Sequence, residues 1–322
     1  MLETALLGAV FDLDNWAKWP IVCDLNYPAV TVIDDVVYDP AKANVCKADL
    51  LYNEHSKKYK KYPVIMNIHG GGWIIGDKKN SLGQCLQMAD GGAFVVNINY
   101  GMPPKRQPFF EKNDPKASHS KDYIWPSQLH DAYKALEWIR DNAEKYNLDL
   151  ENIIVSGDSA GSHLASCVAT ATSNPEYAKV LGLPETPPVK LKGAILFCGL
   201  YDLEAFGELD MKKLPVARCM LQELVGNSDP TLVEGYKSTS PLPYITKDMP
   251  RTLVISGDLD LCTFGQSDLI DKRLREVGAD YLRYKGKGPL SLHDFHLLTF
   301  TVESHKCMKY VAKFVDETVS KK

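Results

Sequence analysis

The sequence predicts an α/β protein built on an open, mostly parallel, doubly wound sheet. Short apolar runs recur along the 322 residues, and several are apolar throughout, which is typical of strands buried on both faces of a parallel sheet. Helical patterns separate these runs, and such alternation favours right-handed strand–helix–strand crossovers. The predicted strands lie at residues 30–38, 63–69, 93–99, 152–156, 193–198, 251–256 and 281–284.

The clearest helical pattern runs from Ser127 to Tyr146, where apolar residues recur near a 3.6-residue spacing after a Pro-Ser start signal. Further helices are predicted at residues 159–172, 264–277 and 297–319. Two long segments interrupt the alternation: residues 103–126 are rich in Pro and Lys, and residues 202–244 carry a helical piece at 212–225 among several prolines. We expect both segments to form excursions above the sheet.

Composition excludes several classes of protein. With 45% hydrophobic and 24% charged residues, the chain resembles an ordinary soluble globular protein. Its 37 basic and 41 acidic side chains give a formal net charge of −4, so it lacks the global positive field that would hold a nucleic acid. No apolar stretch approaches the roughly 20 residues needed to span a bilayer. Nucleic acid and membrane-spanning roles are therefore not expected.

The cysteines and the first residues indicate the compartment. The eight cysteines are scattered singly, without a C-x-x-C pair or a disulfide-type framework, as is typical of thiols in a reducing compartment. The chain starts with an acidic rather than a basic stretch and reaches acids again at Asp12 and Asp14, unlike a secretory signal peptide. We expect a cytoplasmic protein.

The first chemical motif is Gly157-Asp-Ser-Ala-Gly161, with the pattern G-x-S-x-G. It directly follows an apolar run and directly precedes a helical pattern, which is the strand–turn–helix context of a nucleophile elbow. The glycines suit a strained turn where backbones pass closely. Alone the pattern is weak, since about 0.1 chance matches are expected in a chain of this composition. In this strand–turn–helix context, the motif makes Ser159 a candidate nucleophile.

A second motif, His69-Gly-Gly-Gly-Trp73, closes an earlier predicted strand. Three glycines let successive backbone N–H groups point at a negatively charged oxygen, which in acyl transfer is the developing oxyanion. A phosphate-binding loop is the competing interpretation. It is disfavoured because neither Lys-Ser/Thr after the glycines nor a G-x-G-x-x-G leading into a helix is present.

These two motifs, followed by Gly257-Asp-Leu-Asp260 and His293-Asp-Phe295, resemble the hormone-sensitive-lipase-like branch of the α/β-hydrolase carboxylesterases over roughly residues 60–318. The order Ser, acid, His matches α/β-hydrolases. The resemblance implies an α/β-hydrolase fold that needs no cofactor. It also implies a catalytic triad of Ser159, Asp260 and His293. The oxyanion hole that it implies is formed by the backbone N–H groups of Gly71, Gly72 and Ala160.

Two of these assignments leave alternatives open. A Gly-x-x-Asp pattern favours Asp260 as the acid, but the residues that follow depart from the family's Asp-Pro-Leu-x-Asp, so Asp258 remains an alternative. His293-Asp-Phe resembles the family's His-Gly-Phe, and His296 is the rival base. The two histidines are also spaced like metal ligands, but a third and fourth ligand are not evident, so no metal is expected. The histidines interpreted as structural are His69, His130 and His163.

The motifs together predict a serine carboxylesterase that acts on short-acyl esters of small neutral alcohols or on acetylated small molecules. The alternatives are a serine amidase or deformylase resembling kynurenine formamidases, and a non-catalytic ligand-binding receptor on the same fold. The partner expected is a small-molecule ester, and the sequence leaves homo-oligomerisation open. Because the motifs extend from residue 69 to residue 293, we expect a single domain over residues 1–322, with cap elements at about 1–30, 103–126 and 202–244.

Overall fold

The computed structural model describes residues 26–102, 122–209, 214–227 and 229–320. Over these ranges, eight strands form one sheet in the order β1-β2-β4-β3-β5-β6-β7-β8. The pairs β1–β2 and β2–β4 are antiparallel, and the remaining pairs are parallel. The strands are β1 Thr31–Val37, β2 Lys47–Tyr52, β3 Tyr62–Ile68, β4 Phe94–Ile98, β5 Leu148–Asp158, β6 Leu191–Phe197, β7 Arg251–Gly257 and β8 Tyr281–Gly286.

Helices cover both faces of this sheet. They are α1 Leu82–Asp90, α2 Ser127–Asp141, α3 Ala160–Ser173, α4 Pro175–Val180, α5 Leu203–Gly207, α6 Pro215–Val225, α7 Gln266–Val277 and α8 Val302–Ser320. Alternate residues of β3 point to opposite faces, so Met66 joins one core with α2, α3 and α7, whereas Ile65 joins the other with α1 and α8. Burial on both faces explains why these strands read as continuous apolar runs.

Strand β2 was not predicted from the sequence, because it contains a charged residue, Asp49. Asp49 is fully buried in this strand, and its charge is balanced by Lys78 at 3.3 Å and Lys79 at 2.8 Å. A buried carboxylate is tolerated only when it is paired or hydrogen-bonded. Because both lysines lie far along the chain, the local pattern Lys-Ala-Asp-Leu-Leu-Tyr does not indicate a strand.

Two helix boundaries predicted from the sequence were wrong. The helix that begins at Ser127 ends at Asp141 rather than at Tyr146, and the chain then turns through Asn147, at φ 53°, to enter β5. The last helix begins at Val302 rather than near residue 297, because residues 295–297 form a separate short 3₁₀ turn.

The two excursions contact each other where they are described. The backbone N–H of Trp125 donates to the carbonyl of Leu224 at 2.8 Å, and its indole N–H donates to Ser238 Oγ at 2.9 Å. Residues 1–25 and 103–121, which carry most of two expected cap elements, lie outside the described residues. Among the described residues, we find no helix that combines the length and apolarity required to cross a membrane.

Candidate active site

Ser159 lies at the sharp turn between β5 and α3. Its backbone has φ 52° and ψ −118°, a conformation that L-residues adopt only under constraint. The constraint comes from close packing beneath it, since a Cβ on Gly161 would lie 2.0 Å from the carbonyl oxygen of Ile68. Only glycine fits there. The turn therefore holds the Ser159 side chain at the carboxyl end of the central strands, as the G-x-S-x-G pattern predicted.

His293 lies between Ser159 and Asp260. Its Nε2 is 2.9 Å from Ser159 Oγ, and its Nδ1 is 3.1 and 3.2 Å from the two carboxylate oxygens of Asp260. Asp260 is in the loop after β7, and His293 is in the loop after β8. Three residues that are distant in the sequence thus meet at one edge of the sheet, in the arrangement by which an imidazole activates a hydroxyl and a carboxylate fixes the imidazole tautomer.

Asp260 is held in place by its own loop. Its side chain is only 3% exposed, and Oδ1 accepts the backbone N–H groups of Cys262 and Thr263 at 3.0 and 3.2 Å. Burial raises the pKa of this carboxyl, but the hydrogen bond and charge of His293 outweigh burial, so that the pKa lies below its ordinary value. Asp260 therefore carries the negative charge that a protonated His293 requires.

The structure does not bring the alternative acid and base to Ser159. Asp258 is 48% exposed, and its carboxylate pairs with Lys285 Nζ at 2.9 Å. His296 is fully buried and stacks on Phe197 with ring centroids 4.0 Å apart. Burial, followed by the charge of His293, lowers the pKa of His296 to about 3.

The glycine loop after β3 is fixed to the serine turn by Asp158. The backbone N–H of Gly70 donates to Asp158 Oδ2 at 3.0 Å, and the hydroxyl of Ser81 donates to Oδ1 at 2.9 Å. Burial raises the pKa of Asp158 to about 6. Gly71 and Gly72, with φ 111° and 58°, follow this anchor. Since Asp158 occupies the N–H of Gly70, the predicted oxyanion donors are the next two N–H groups of the loop, together with that of Ala160.

The residues interpreted as structural histidines have ordinary packing partners. His69 stacks on Tyr100 with ring centroids 4.6 Å apart, and His130 Nε2 lies 3.1 Å from the carbonyl oxygen of Leu181. His163 is fully buried between hydrogen-bond partners on both ring nitrogens.

Two side chains beside the triad were not anticipated as site residues. Asp294 Oδ2 lies 3.3 Å from His293 Nε2, and the thiol of Cys198, at the end of β6, lies within 4.8 Å of ligand atoms of Asp260 and His293. Both ring nitrogens of His293 in this group already have partners, because Nδ1 faces the carboxylate of Asp260 and Nε2 faces Ser159 Oγ. The only sequence signal for Asp294 was its departure from the His-Gly-Phe pattern.

The sheet, its helices and the turn at Ser159 define the class: this is an α/β-hydrolase fold, as the sequence predicted. The BD-FAE family profile matches residues 49–274. The chain belongs to the BD-FAE family. The recognition of a hormone-sensitive-lipase-like α/β-hydrolase from its motifs is thereby confirmed.

Relatives and solved structures agree with this class. Esterase LipQ of Mycobacterium tuberculosis is 26% identical over 80% of this chain and 55% of its own length, so the chain spans about half the length of that relative. Arylacetamide deacetylase of Bos taurus is 34% identical over 58% of this chain and 41% of its own length. The crystal structure of esterase B from Lactobacillus rhamnosis has a TM-score of 0.78 at 21% identity, covering 99% of this chain and 96% of that one, and supports the fold.

Proposed function

We propose that this protein is a serine carboxylesterase that hydrolyses short-acyl esters of small neutral alcohols, or acetylated small molecules, through an acyl-enzyme. The observation that carries this proposal is the 2.9 Å approach of Ser159 Oγ to His293 Nε2, with Asp260 on the opposite nitrogen. Relatives named esterase and carboxylic ester hydrolase support the ester class.

In the proposed acylation step, His293 Nε2 accepts the Ser159 proton while Oγ attacks the ester carbonyl carbon. The carbonyl oxygen becomes an oxyanion, which the N–H groups of Gly71, Gly72 and Ala160 stabilise. Each such donor lowers the barrier by roughly 3 kcal/mol. The imidazolium, held by Asp260, then gives its proton to the leaving alcohol.

Deacylation repeats the same steps with water. His293 accepts a proton from the attacking water, the oxyanion forms again in the same place, and Ser159 recovers its proton as the carboxylic acid leaves. No step needs a cofactor, because the nucleophile, the base and the electrostatic stabilisation all come from the chain.

The test is Ser159→Ala assayed with p-nitrophenyl acetate. Turnover is expected to fall at least about 10³-fold, to the level that binding and the oxyanion donors alone provide. Ser162→Ala is the matched control, since Ser162 is the next serine along, is buried and lies 3.1 Å from Tyr201 Oη; it should keep its turnover. Wild-type rates in the Ser159 variant would reject the proposal.

Covalent labelling of the same variants separates an enzyme from a non-catalytic receptor. A fluorophosphonate probe reacts covalently with an activated serine, so the wild-type protein and Ser162→Ala should be labelled, whereas Ser159→Ala should not. Absence of labelling in the wild-type protein would favour a binding role on the same fold.

Amide hydrolysis is a second candidate, because one relative is named arylacetamide deacetylase. The same triad serves both bonds, but an amine is a poorer leaving group and depends more strongly on proton donation by His293. Comparing kcat/KM for phenyl acetate and acetanilide decides between them. We expect the ester to be preferred, and an equal or higher value for the amide would reassign the protein as an amidase.

A further inference from the structure

The Nε2 atom of His293 has two neighbours that compete for one proton. Ser159 Oγ lies 2.9 Å from it, and Asp294 Oδ2 lies 3.3 Å from it. Because Asp260 faces the other nitrogen at 3.1 Å, the imidazole lies between two carboxyl groups. One carboxylate is sufficient to orient the imidazole of a serine hydrolase, so the proposed mechanism leaves the second one unexplained.

The backbone directs the Asp294 side chain back onto the histidine that precedes it. Asp294 has φ 52° and ψ 33°, the left-handed region that Asp tolerates better than most residues. The next residue, Phe295, is fully buried and fixes the chain on the far side. The Asp294 side chain is only 14% exposed.

A proton is required between these two groups in the resting site. An ionised carboxylate beside the Nε2 lone pair would be repelled by it, so the proton lies either on Asp294 or on Nε2. Asp294 Oδ1 is buried and, among the described residues, has no hydrogen-bond partner of ordinary geometry. The thiol of Cys198, which is a weak donor, lies near this carboxyl group. An unpaired buried carboxylate is costly. The pair therefore retains one proton at pH values where an ordinary histidine has lost it.

We propose that Asp294 is a positioning residue that shares one proton with His293 Nε2, so that Ser159 becomes activated only after the pair has released that proton to solvent. This inference rests on the proposed serine mechanism and adds its pH dependence. Below the midpoint of the pair, the Nε2 lone pair is either protonated or occupied by the hydroxyl of the Asp294 carboxylic acid, so it is not available to accept the Ser159 proton. Above it, the carboxylate of Asp294 stabilises the imidazolium that forms during attack.

The surrounding charges support this direction. Burial raises the pKa of Asp294; the positive charge of His293 opposes this, but burial and the negative charges of Asp158 and Asp260 outweigh it. Burial opposes protonation of His293, but the two neighbouring carboxyl groups outweigh it and raise the pKa of the imidazole. The titratable groups facing the pair are Asp158 at the end of β5, Cys198 after β6, Asp260 and Cys262 after β7, and His296 in the following turn.

The experiment replaces Asp294 by Gly, which suits its left-handed backbone, and separately by Asn, which also tolerates that conformation. The midpoint of the rising limb of fluorophosphonate labelling against pH is measured for each variant. Removal of the second carboxyl should lower this midpoint by at least about one pH unit, because a charge at this distance shifts a pKa by 1 to 3 units. Equal midpoints in both variants and the wild-type protein would overturn the proposal.

A second readout does not depend on reactivity. The Cε1–H resonance of His293, assigned by its loss in His293→Gln, is titrated by NMR, and its midpoint should shift in the same direction. Asp258→Asn is the matched control, since it removes a carboxylate that pairs with Lys285 rather than with the imidazole; its midpoint should remain at the wild-type value. If the wild-type protein is not labelled at any pH, the proposed function is rejected. The NMR titration still tests whether Asp294 shares a proton with His293.

Discussion

Trp73 donates its indole N–H to Nδ1 of His163 at 3.1 Å, which joins the end of the glycine loop to the helix that follows Ser159. The opposite nitrogen, Nε2, donates to the carbonyl of Thr239 at 2.7 Å. Burial lowers the pKa of His163 to about 4. The ring therefore stays neutral in one tautomer and connects three separate segments around the site.

Replacing His163 by Leu should loosen the glycine loop. The variant leaves the buried Trp73 donor and the Thr239 acceptor without their partner, at a cost of about 1 to 3 kcal/mol for an unsatisfied group. Thermal or urea unfolding measures this loss. The value of kcat should fall more than KM rises, because the loop carries two of the proposed oxyanion donors, which act on the transition state. His305→Leu, at an exposed histidine of α8, is the control and should change stability by less than about 0.5 kcal/mol. Equal effects of the two substitutions would contradict the connecting role of His163.

The choice of the acid is tested by a pair of isosteric variants. Asp260→Asn should lower kcat by about 10⁴-fold, because the amide favours the wrong imidazole tautomer and cannot stabilise the imidazolium. Asp258→Asn loses only an exposed contact with Lys285 and should keep kcat within about twofold, since exposed ion pairs contribute little. Steady-state kinetics on one ester give both values. The reverse pattern would identify Asp258 as the acid.

Met220 packs on the glycine loop that carries two of the proposed oxyanion donors. A Cβ on Gly72 would lie 2.6 Å from the Met220 sulfur and terminal carbon, so this side chain of α6 packs directly on the glycine loop. Met220→Ala should raise kcat/KM for butyrate relative to acetate esters by about tenfold, the scale of pocket effects per methylene. The neighbouring Cys219→Ala is the control. An unchanged chain-length profile in Met220→Ala would show that the acyl group lies elsewhere.

Acid should destabilise the protein through its buried histidines. Burial, followed by the charge of His293, lowers the pKa of His296 to about 3 in the folded protein. In the unfolded chain, the imidazole binds its proton at a pKa of about 6.5. Between these values the unfolded state holds more protons, so the free energy of unfolding falls as the pH falls, by about 2 kcal/mol from pH 7 to pH 5.

The variant His296→Phe keeps the stacking on Phe197 without the titration. Its free energy of unfolding should therefore decline less between pH 7 and pH 5 than that of the wild-type protein, as measured by urea unfolding. His305→Gln, at an exposed position of α8, should decline like the wild-type protein. Parallel curves for all three proteins would show that His296 does not control the acid response.

The parts predicted well from the sequence are those in which local pattern determines structure. Buried strands such as β3 and β7 are apolar because both faces are covered. The turn at Ser159 requires glycine at position 161, where a Cβ would lie 2.0 Å from the carbonyl oxygen of Ile68. The parts missed depend on distant partners. Asp49 can be buried inside β2 because Lys78 and Lys79 pair with its carboxylate. The contact of Asp294 with His293 Nε2 depends on a left-handed backbone conformation, which the sequence does not indicate.

The position of β8 at the edge of the sheet has a consequence for biosynthesis. His293 follows this last strand, and 134 positions separate it from Ser159. A chain emerging from the ribosome presents the serine turn long before the base has been translated, and pairing of β8 with β7 completes the site. Under the proposed mechanism, a nascent chain that already contains Ser159 but not His293 therefore has no base to activate the serine.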